Sequence, residues 1–204
     1  MAERAEDAAL AAKLDKPGAG VPPLHAFILR YFVGPFVSKR SSWEEDNKRF
    51  TSVNAKILKI AEGLTEDEMT TRVLVPPQYG LEDSSRYWSP AMVLEHMVIV
   101  GPGIKNITVS LSQGIVPDFK VEIARVKPKG QGTPQDAIRN FREFASGTLA
   151  DIERDVKDRN SKAALVHPWF GPFTARQWHW LLAGHSVIHL TQLRAIVERL
   201  RPEK

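Results

Sequence analysis

The apolar and polar positions from Thr174 to Leu200 alternate with a helical period and predict one long amphipathic helix. Thr174 followed three residues later by Gln177 matches the capping box that begins many helices. At about 100° per residue, one face of this helix combines apolar side chains with His185 and His189. The two histidines are therefore predicted to lie one turn apart and to face the core.

Three more stretches of the chain show the same helical period. The first runs from Ser42 to Leu64, the second follows a helix cap at Ser89, and the third follows a cap at Thr133. The apolar stripe of the second stretch contains His96. Long segments without a helical stripe separate these helices, so tight hairpins are not expected. The pattern predicts an all-α fold, a four-helix bundle with long crossover connections.

The sequence also predicts local structure at Pro102 and in the connection after the second helix. Pro102, between two glycines, is expected to kink or break the second helix, because it lacks an amide and crowds the preceding turn. In the long connection that follows, apolar residues at Val121, Ile123 and Val126 suggest a short strand.

The chain before the first bundle helix has a different character, so residues 1–41 are predicted to be an N-terminal tail and apolar arm and residues 42–204 the bundle. Leu24 to Val37 is strongly apolar but too short to span a bilayer, and no transmembrane segment is expected. The arm is expected to cover the bundle itself, a second subunit or a membrane surface. Of these alternatives, contact with a second subunit in a homodimer is the preferred prediction.

Composition narrows the chemistry available to the protein. The chain has 204 residues, 43% of them hydrophobic and 25% charged, which is typical of one globular domain. It contains no cysteine, so a transition-metal site would use histidine, carboxylate or water, and a cytoplasmic location is expected. The net charge is +4, but the lysines and arginines are interspersed with aspartates and glutamates and form no basic run. Nucleic acid is therefore not an expected partner.

The histidines in the apolar stripes are the candidate chemistry. His185 and His189 have the i,i+4 spacing at which two imidazoles can bind one metal ion, and His96 can supply a third ligand from another helix. Three protein ligands leave one coordination position open, as in catalytic metal sites. Buried histidines also occur as ordinary core residues, and the periodicity alone leaves both readings open.

The chain also resembles a known family, the DinB-like superfamily, and in particular an uncharacterised branch with a His-Pro-x-Phe-Gly-x-Leu-Thr run before the histidine helix. The resemblance rests on these motifs: Trp88-Ser89, Leu94-Glu95-His96-Met97, the run HPWFGPFT from His167 to Thr174, and His185-x-x-x-His189. It implies a four-helix bundle in which His96, His185 and His189 bind a divalent metal ion, zinc or nickel. Phe173 replaces the usual leucine, and Ile188 replaces a further histidine common in that branch.

Several neighbouring residues are candidates for supporting roles. Gln192 lies one turn after His189 and can orient a ligand, or it can be an amide at the edge of the core. His167 is a candidate lid or outer contact of the site, and Trp169 and Phe170 can line an apolar pocket; a loop residue and plain core aromatics are the alternatives.

The resemblance implies a thiol-dependent transferase or isomerase that uses a low-molecular-weight thiol and a small electrophile. The alternatives are a metal-dependent hydrolase and a non-catalytic, metal-stabilised bundle with a binding or stress-associated role. None of these readings assigns a catalytic residue beyond the metal ligands.

Overall fold

The computed structural model describes residues 2–202 of the chain, and within them helices dominate. The α-helices are α1 (Ala2–Ala11), α2 (Pro23–Ile28), α3 (Trp43–Glu62), α4 (Glu66–Thr70), α5 (Pro90–Ser112), α6 (Pro134–Asp155) and α7 (Ala175–Leu200). The strands are β1 (Val73–Leu74), β2 (Tyr87–Trp88), β3 (Ala164–His167) and β4 (Gly171–Thr174). A π-helical turn covers Leu29–Val33, and 3-10 turns cover Val37–Lys39, Asp83–Ser85 and Ile123–Val126.

Three of the four long helices begin at the caps that the sequence predicts, and the first begins after Ser42, where the helical pattern starts. The side-chain oxygens of Ser42, Ser89 and Thr133 each accept from the backbone N–H three residues on, at 3.1, 3.3 and 3.1 Å. The Thr174 N–H donates to the Gln177 side chain at 3.1 Å. These bonds satisfy amides that the first turn of a helix leaves free, so each helix has a defined start.

Contacts at the helix ends give the direction of three bundle helices. Trp43, the first residue of α3, stacks on His179 near the start of α7, with ring centroids 3.7 Å apart. Its indole N–H also donates to Glu153, near the end of α6, at 3.0 Å. Beyond the other end of α3, the Gly63 carbonyl accepts from Arg201 at 3.1 Å. Helix α7 is therefore parallel to α3, and α6 is antiparallel to it.

Helix α5 packs between α6 and α7 and closes the ring of four. Gly101 in the middle of α5 lies against Phe144 in the first half of α6, and Gln113 after α5 donates to the Asp155 carbonyl at 3.2 Å. Neighbours α5 and α6 are therefore parallel, so the connection over residues 113–133 must return along the length of the bundle. The predicted four-helix bundle with long crossovers is confirmed.

Two features that the sequence suggested, a break at Pro102 and a strand around Ile123, do not form. Helix α5 is continuous through Pro102 and does not break there. A Cβ on the neighbouring Gly101 would lie 2.1 Å from the Phe144 ring, so this glycine allows α6 to pack closely against the proline-containing turn. The predicted strand around Ile123 is a 3-10 turn, Ile123–Val126, because no neighbouring strand pairs with it and its last carbonyl bonds to a histidine side chain.

A hairpin that the sequence pattern did not reveal leads into α7. Strands β3 and β4 pair antiparallel, with His167 opposite Gly171, and Pro168 to Phe170 form the turn. Gly171 has φ of +80°, a left-handed conformation that favours glycine at this turn. The hairpin is one of two short strand pairs in this mainly helical fold, and it holds the aromatic lead-in against the start of α7.

The N-terminal arm is attached to the bundle by its second half. Leu29 is buried in the core, and the amide of Gln177 donates to the Gly34 carbonyl at 2.9 Å and to the Ser38 hydroxyl at 3.1 Å. Among the helices of residues 2–202, none combines the length and apolar character needed to cross a membrane.

Candidate metal centre

Three histidines from two helices meet between α5 and α7. The Nε2 atom of His185 lies 3.2 Å from Nε2 of His96 and 3.1 Å from Nε2 of His189. The candidate ligand atoms of the three rings all lie within 4.8 Å of one another. The i,i+4 spacing on α7 stacks His185 and His189, and the first half of α5 brings His96 opposite them.

Hydrogen bonds to the outer nitrogens set the orientation of two of these rings. Nδ1 of His96 lies 2.8 Å from the Val126 carbonyl, and Nδ1 of His189 lies 2.8 Å from Oε1 of Gln192. A carbonyl oxygen can only accept, so each Nδ1 carries the proton and each Nε2 presents a lone pair to the centre. Gln192 is itself held by the Ser85 carbonyl, which accepts from its amide at 2.7 Å.

This arrangement suits a metal ion better than it suits three bare imidazoles. The lone pairs of His96 and His189 both face His185, whose Nε2 has one proton at most to share between them. Nitrogen ligands at about 2.0–2.1 Å from a tetrahedral ion lie about 3.3 Å apart, close to the two observed separations. The three histidines therefore fit a divalent ion with nitrogen ligands.

The surroundings keep the imidazoles neutral. Burial lowers the pKa of His189 to about 4. Burial and the neighbouring histidines lower the pKa values of His96 and His185 well below their ordinary value. A neutral imidazole is the form that binds a metal ion, so these rings need not lose a proton first near neutral pH.

One side of the centre is closed by an aromatic ring and a buried ion pair. The Trp88 ring is parallel to His189 at a centroid distance of 6.1 Å and lies 5.1 Å from His96. Nζ of Lys127 lies 5.7 Å from the centre of the Trp88 ring and forms an ion pair with Glu82, which is buried. The carboxylate balances the cation, and the pair adds little net charge beside the histidines.

The three rings differ in exposure. His96 and His189 are buried, whereas His185 is half-buried. Of the three candidate ligands, His185 is therefore the most exposed residue.

The aromatic lead-in predicted to line a pocket forms a cluster near the start of α7. His167 lies 4.9 Å from Phe170, 5.9 Å from Trp169 and 5.4 Å from Trp178, measured between ring centroids. Trp178 precedes His185 by about two helical turns. His167 adds to the effect of burial and the other histidines in lowering the pKa of His185.

His167 itself is a buried, neutral group. Burial lowers the pKa of this histidine to about 3. Its Nδ1 accepts from the Trp169 backbone N–H at 3.1 Å, so the ring proton is on Nε2. His167 is therefore a hydrogen-bond donor through Nε2 and a poor base.

The structure adds residues to the site that sequence reasoning did not select. The Val126 carbonyl, the Trp88 ring and the Glu82–Lys127 pair all surround the three histidines. A backbone carbonyl has no signature in the sequence, and Glu82 and Lys127 are brought together by the crossover segments alone. Trp88 begins a motif of the family resemblance, which is the one signal that pointed to it.

A four-helix bundle that brings three histidines together in a possible metal site defines the class of this protein. Residues 40–193 match the family model described as the DinB superfamily, and the chain belongs to that superfamily. The comparison with curated proteins found no significant match.

Two solved structures share the fold at low sequence identity. TT2238, a four-helix bundle protein, is 19% identical, with a TM-score of 0.53 over 76% of this chain and 98% of its own. YfiT from Bacillus subtilis, described as a probable metal-dependent hydrolase with an unusual four-helix bundle topology, is 20% identical, with a TM-score of 0.57 over 85% of this chain and 98% of its own. At these identities the likeness shows the fold alone.

Proposed function

We propose that this protein is a divalent-metal-dependent enzyme acting on a small molecule, with His96, His185 and His189 as the metal ligands. One observation carries the proposal: two of the three Nε2 lone pairs are directed to a common centre by outer hydrogen bonds, and Nε2 of His185 lies 3.2 and 3.1 Å from them. Three histidine ligands leave one position of a tetrahedral ion for water or substrate, as in catalytic metal sites.

The chemistry of the donors favours zinc or nickel. Imidazole nitrogens are the ligands that these ions share, and calcium and magnesium prefer oxygen. In the described residues, the group suited to a metal ion consists of the three histidines, without a carboxylate. We therefore propose one zinc or nickel ion per chain.

The proposed reaction is transfer or isomerisation with a low-molecular-weight thiol as cosubstrate. When bound, a divalent ion supplies Lewis-acid activation and favours the deprotonated form of a nucleophile. The chain has no cysteine, so a sulfur nucleophile has to arrive with a cosubstrate. The resemblance of the motifs around His96 and His185 to thiol-dependent relatives supports this choice.

Residues of the hairpin are proposed to hold the substrate. Phe170 is buried and Trp169 is half-buried, so together they offer an apolar wall with an exposed edge. The Nε2–H of His167 can donate to a carbonyl or carboxylate oxygen of the substrate. Because this histidine stays neutral, it would orient the substrate and would not remove its proton.

Hydrolysis is the second candidate, favoured by the description of YfiT as a probable metal-dependent hydrolase. The same three ligands would serve it, with water in place of the thiol. The two reactions differ in whether turnover requires a thiol.

A substrate screen tests the proposal. Metal-loaded protein is incubated with panels of electrophiles, esters and amides, with and without low-molecular-weight thiols and with and without chelator. Turnover that needs both thiol and metal supports transfer, and turnover that needs metal alone supports hydrolysis. The His185→Ala/His189→Ala variant should be inactive, whereas His179→Phe, a change on the same helix outside the three ligands, should retain activity. Metal-loaded protein that turns over nothing, and loses only thermal stability in His96→Ala, would favour the non-catalytic bundle.

A further inference from the structure

The N-terminal arm exposes a set of large apolar side chains, which we call the arm surface. Its members and their exposed fractions are Leu24 (68%), Phe27 (52%), Tyr31 (56%), Phe32 (53%) and Phe36 (62%). A monomeric soluble protein rarely leaves so many neighbouring apolar side chains in water. This surface is separate from the three-histidine centre.

The arm is amphipathic with its larger apolar side turned outward. Leu29 is 4% exposed and anchors the arm to the bundle, whereas Leu24, Phe27 and Tyr31 follow the i,i+3,i+7 spacing of the opposite, outer face. Phe27 lies 4.9 Å from Tyr31 and 6.0 Å from Phe32 between ring centroids, so these three rings form one patch. More than half of each of these three side chains is exposed, so their outer faces meet solvent.

The charged side chains of the arm segment itself are of one sign. The sequence has Lys16, Arg30, Lys39 and Arg40 but no aspartate or glutamate between residues 16 and 43. Arg30, Lys39 and Arg40 are exposed. Three acidic residues follow at the start of α3. Glu44 and Asp46 pair with Arg159 and Arg176, each at 2.7 Å, and Glu45 accepts from the Ser42 backbone N–H at 2.6 Å.

We propose that the arm surface docks on an anionic lipid bilayer, with its aromatic side chains in the interface and its cations at the lipid phosphates. An amphipathic segment that combines an apolar aromatic face with flanking lysine and arginine has the chemistry that such interfaces bind. The arm would lie on the bilayer, since it is too short to cross it.

Charge favours the bilayer over a second copy of this chain. In a symmetric dimer the same patch meets itself, so Lys39 and Arg40 of both copies would be brought to one interface without a carboxylate from the arm to balance them. An anionic bilayer offers the opposite charge. The homodimer expected from the sequence would use this same surface, so it is an alternative outcome of the test.

Vesicle binding of the full-length protein tests the proposal. Co-sedimentation is measured with vesicles of phosphatidylcholine alone and of phosphatidylcholine mixed with phosphatidylglycerol. The wild type should bind the anionic vesicles at least about 10-fold more tightly, and raised salt should reduce the difference. The Lys39→Gln/Arg40→Gln variant should lose about 10-fold in affinity for the anionic vesicles.

Further variants test the contribution of the apolar side chains of the arm surface to vesicle binding. Phe27→Ser/Phe32→Ser should reduce binding by about 10-fold or more. The matched control is Ile115→Ser/Phe119→Ser, which removes side chains that are 57% and 54% exposed but lie outside the arm. The control should bind like the wild type, and circular dichroism should show that all variants keep their helix content.

Three results would overturn the proposal. One is a wild type that binds neither kind of vesicle, and another is binding that the control variant loses as much as the arm variant does. The third is a dimer in analytical ultracentrifugation that Phe27→Ser/Phe32→Ser dissociates, without vesicle binding by the wild type. That last result would assign the arm surface to a second copy of the chain.

Discussion

Helix α7 buries one histidine near its start, His179, and another in its middle, His189. The two side chains differ in the partners that their ring nitrogens have. His189, in the middle, has a neighbour at each ring nitrogen: Oε1 of Gln192 lies 2.8 Å from Nδ1, and Nε2 of His185 lies 3.1 Å from Nε2. His179, near the start, is 1% exposed, and neither of its nitrogens has a hydrogen-bond partner. Its ring stacks flat on Trp43 at 3.7 Å.

The comparison shows that burial does not identify a functional histidine. Burial lowers the pKa of both side chains to about 4, so neither depth nor charge state separates them. The difference lies in the outer partner that orients His189 and in the convergence of its Nε2 on two other imidazoles. His179 is a packing residue that the fold keeps neutral.

The largest expected effect is on metal content, which should depend on the histidines in the middle of α7 and not on His179. Wild-type protein purified without an affinity tag should carry one divalent ion per chain by elemental analysis. The His185→Ala/His189→Ala variant should carry none, because two of three ligands are removed. His179→Phe should retain the full content. A double variant with wild-type metal content would show that the site is assigned wrongly.

The second expected effect is that the protonation of His179 makes the stability of the fold depend on pH. Its pKa in the folded protein is about 4, below the ordinary value for histidine, so between about pH 6.5 and 4 the unfolded chain binds more protons there. Folding stability from this residue is therefore present near neutral pH and is lost as the pH falls through that window. The loss amounts to about 3 kcal/mol.

Urea unfolding of metal-free wild type and His179→Phe at several pH values measures this effect. Relative to the wild type, the variant should become more stable by up to about 3 kcal/mol on going from pH 7 to pH 4, because phenylalanine takes up no proton. Parallel pH profiles for the two proteins would mean that His179 titrates in the folded state as it does in the unfolded chain.

A smaller effect is expected from the outer partner of His189. Gln192→Leu removes the acceptor of the His189 Nδ1–H and the donor to the Ser85 carbonyl. Loss of such a partner typically weakens metal binding by about 10- to 100-fold, which a competition titration with a chromogenic chelator can measure. Gln113→Leu is the matched control, since that glutamine also donates to a backbone carbonyl but lies at the end of α5. Equal affinities for both variants would show that Gln192 does not orient the ligand.

Much of the fold followed from local patterns. Apolar spacing, together with the caps at Ser89, Thr133 and Thr174, predicted the four bundle helices, because the first turn of a helix needs side-chain partners and its buried stripe repeats every three to four residues. The same spacing predicted that His185 and His189 share a face. The hairpin before α7 and the continuity of α5 through Pro102 were missed, since both depend on what packs against them.

The sequence by itself determined the helices, their buried faces and the pair of histidines one turn apart. Only the tertiary structure decided that His96 meets that pair, that Val126 and Gln192 orient the rings, and that His179 stays outside the site. The physical reason is that periodicity records how much of a side chain is buried, whereas its partners come from segments far along the chain. The Gln192 amide, for example, bonds to a carbonyl 107 residues away.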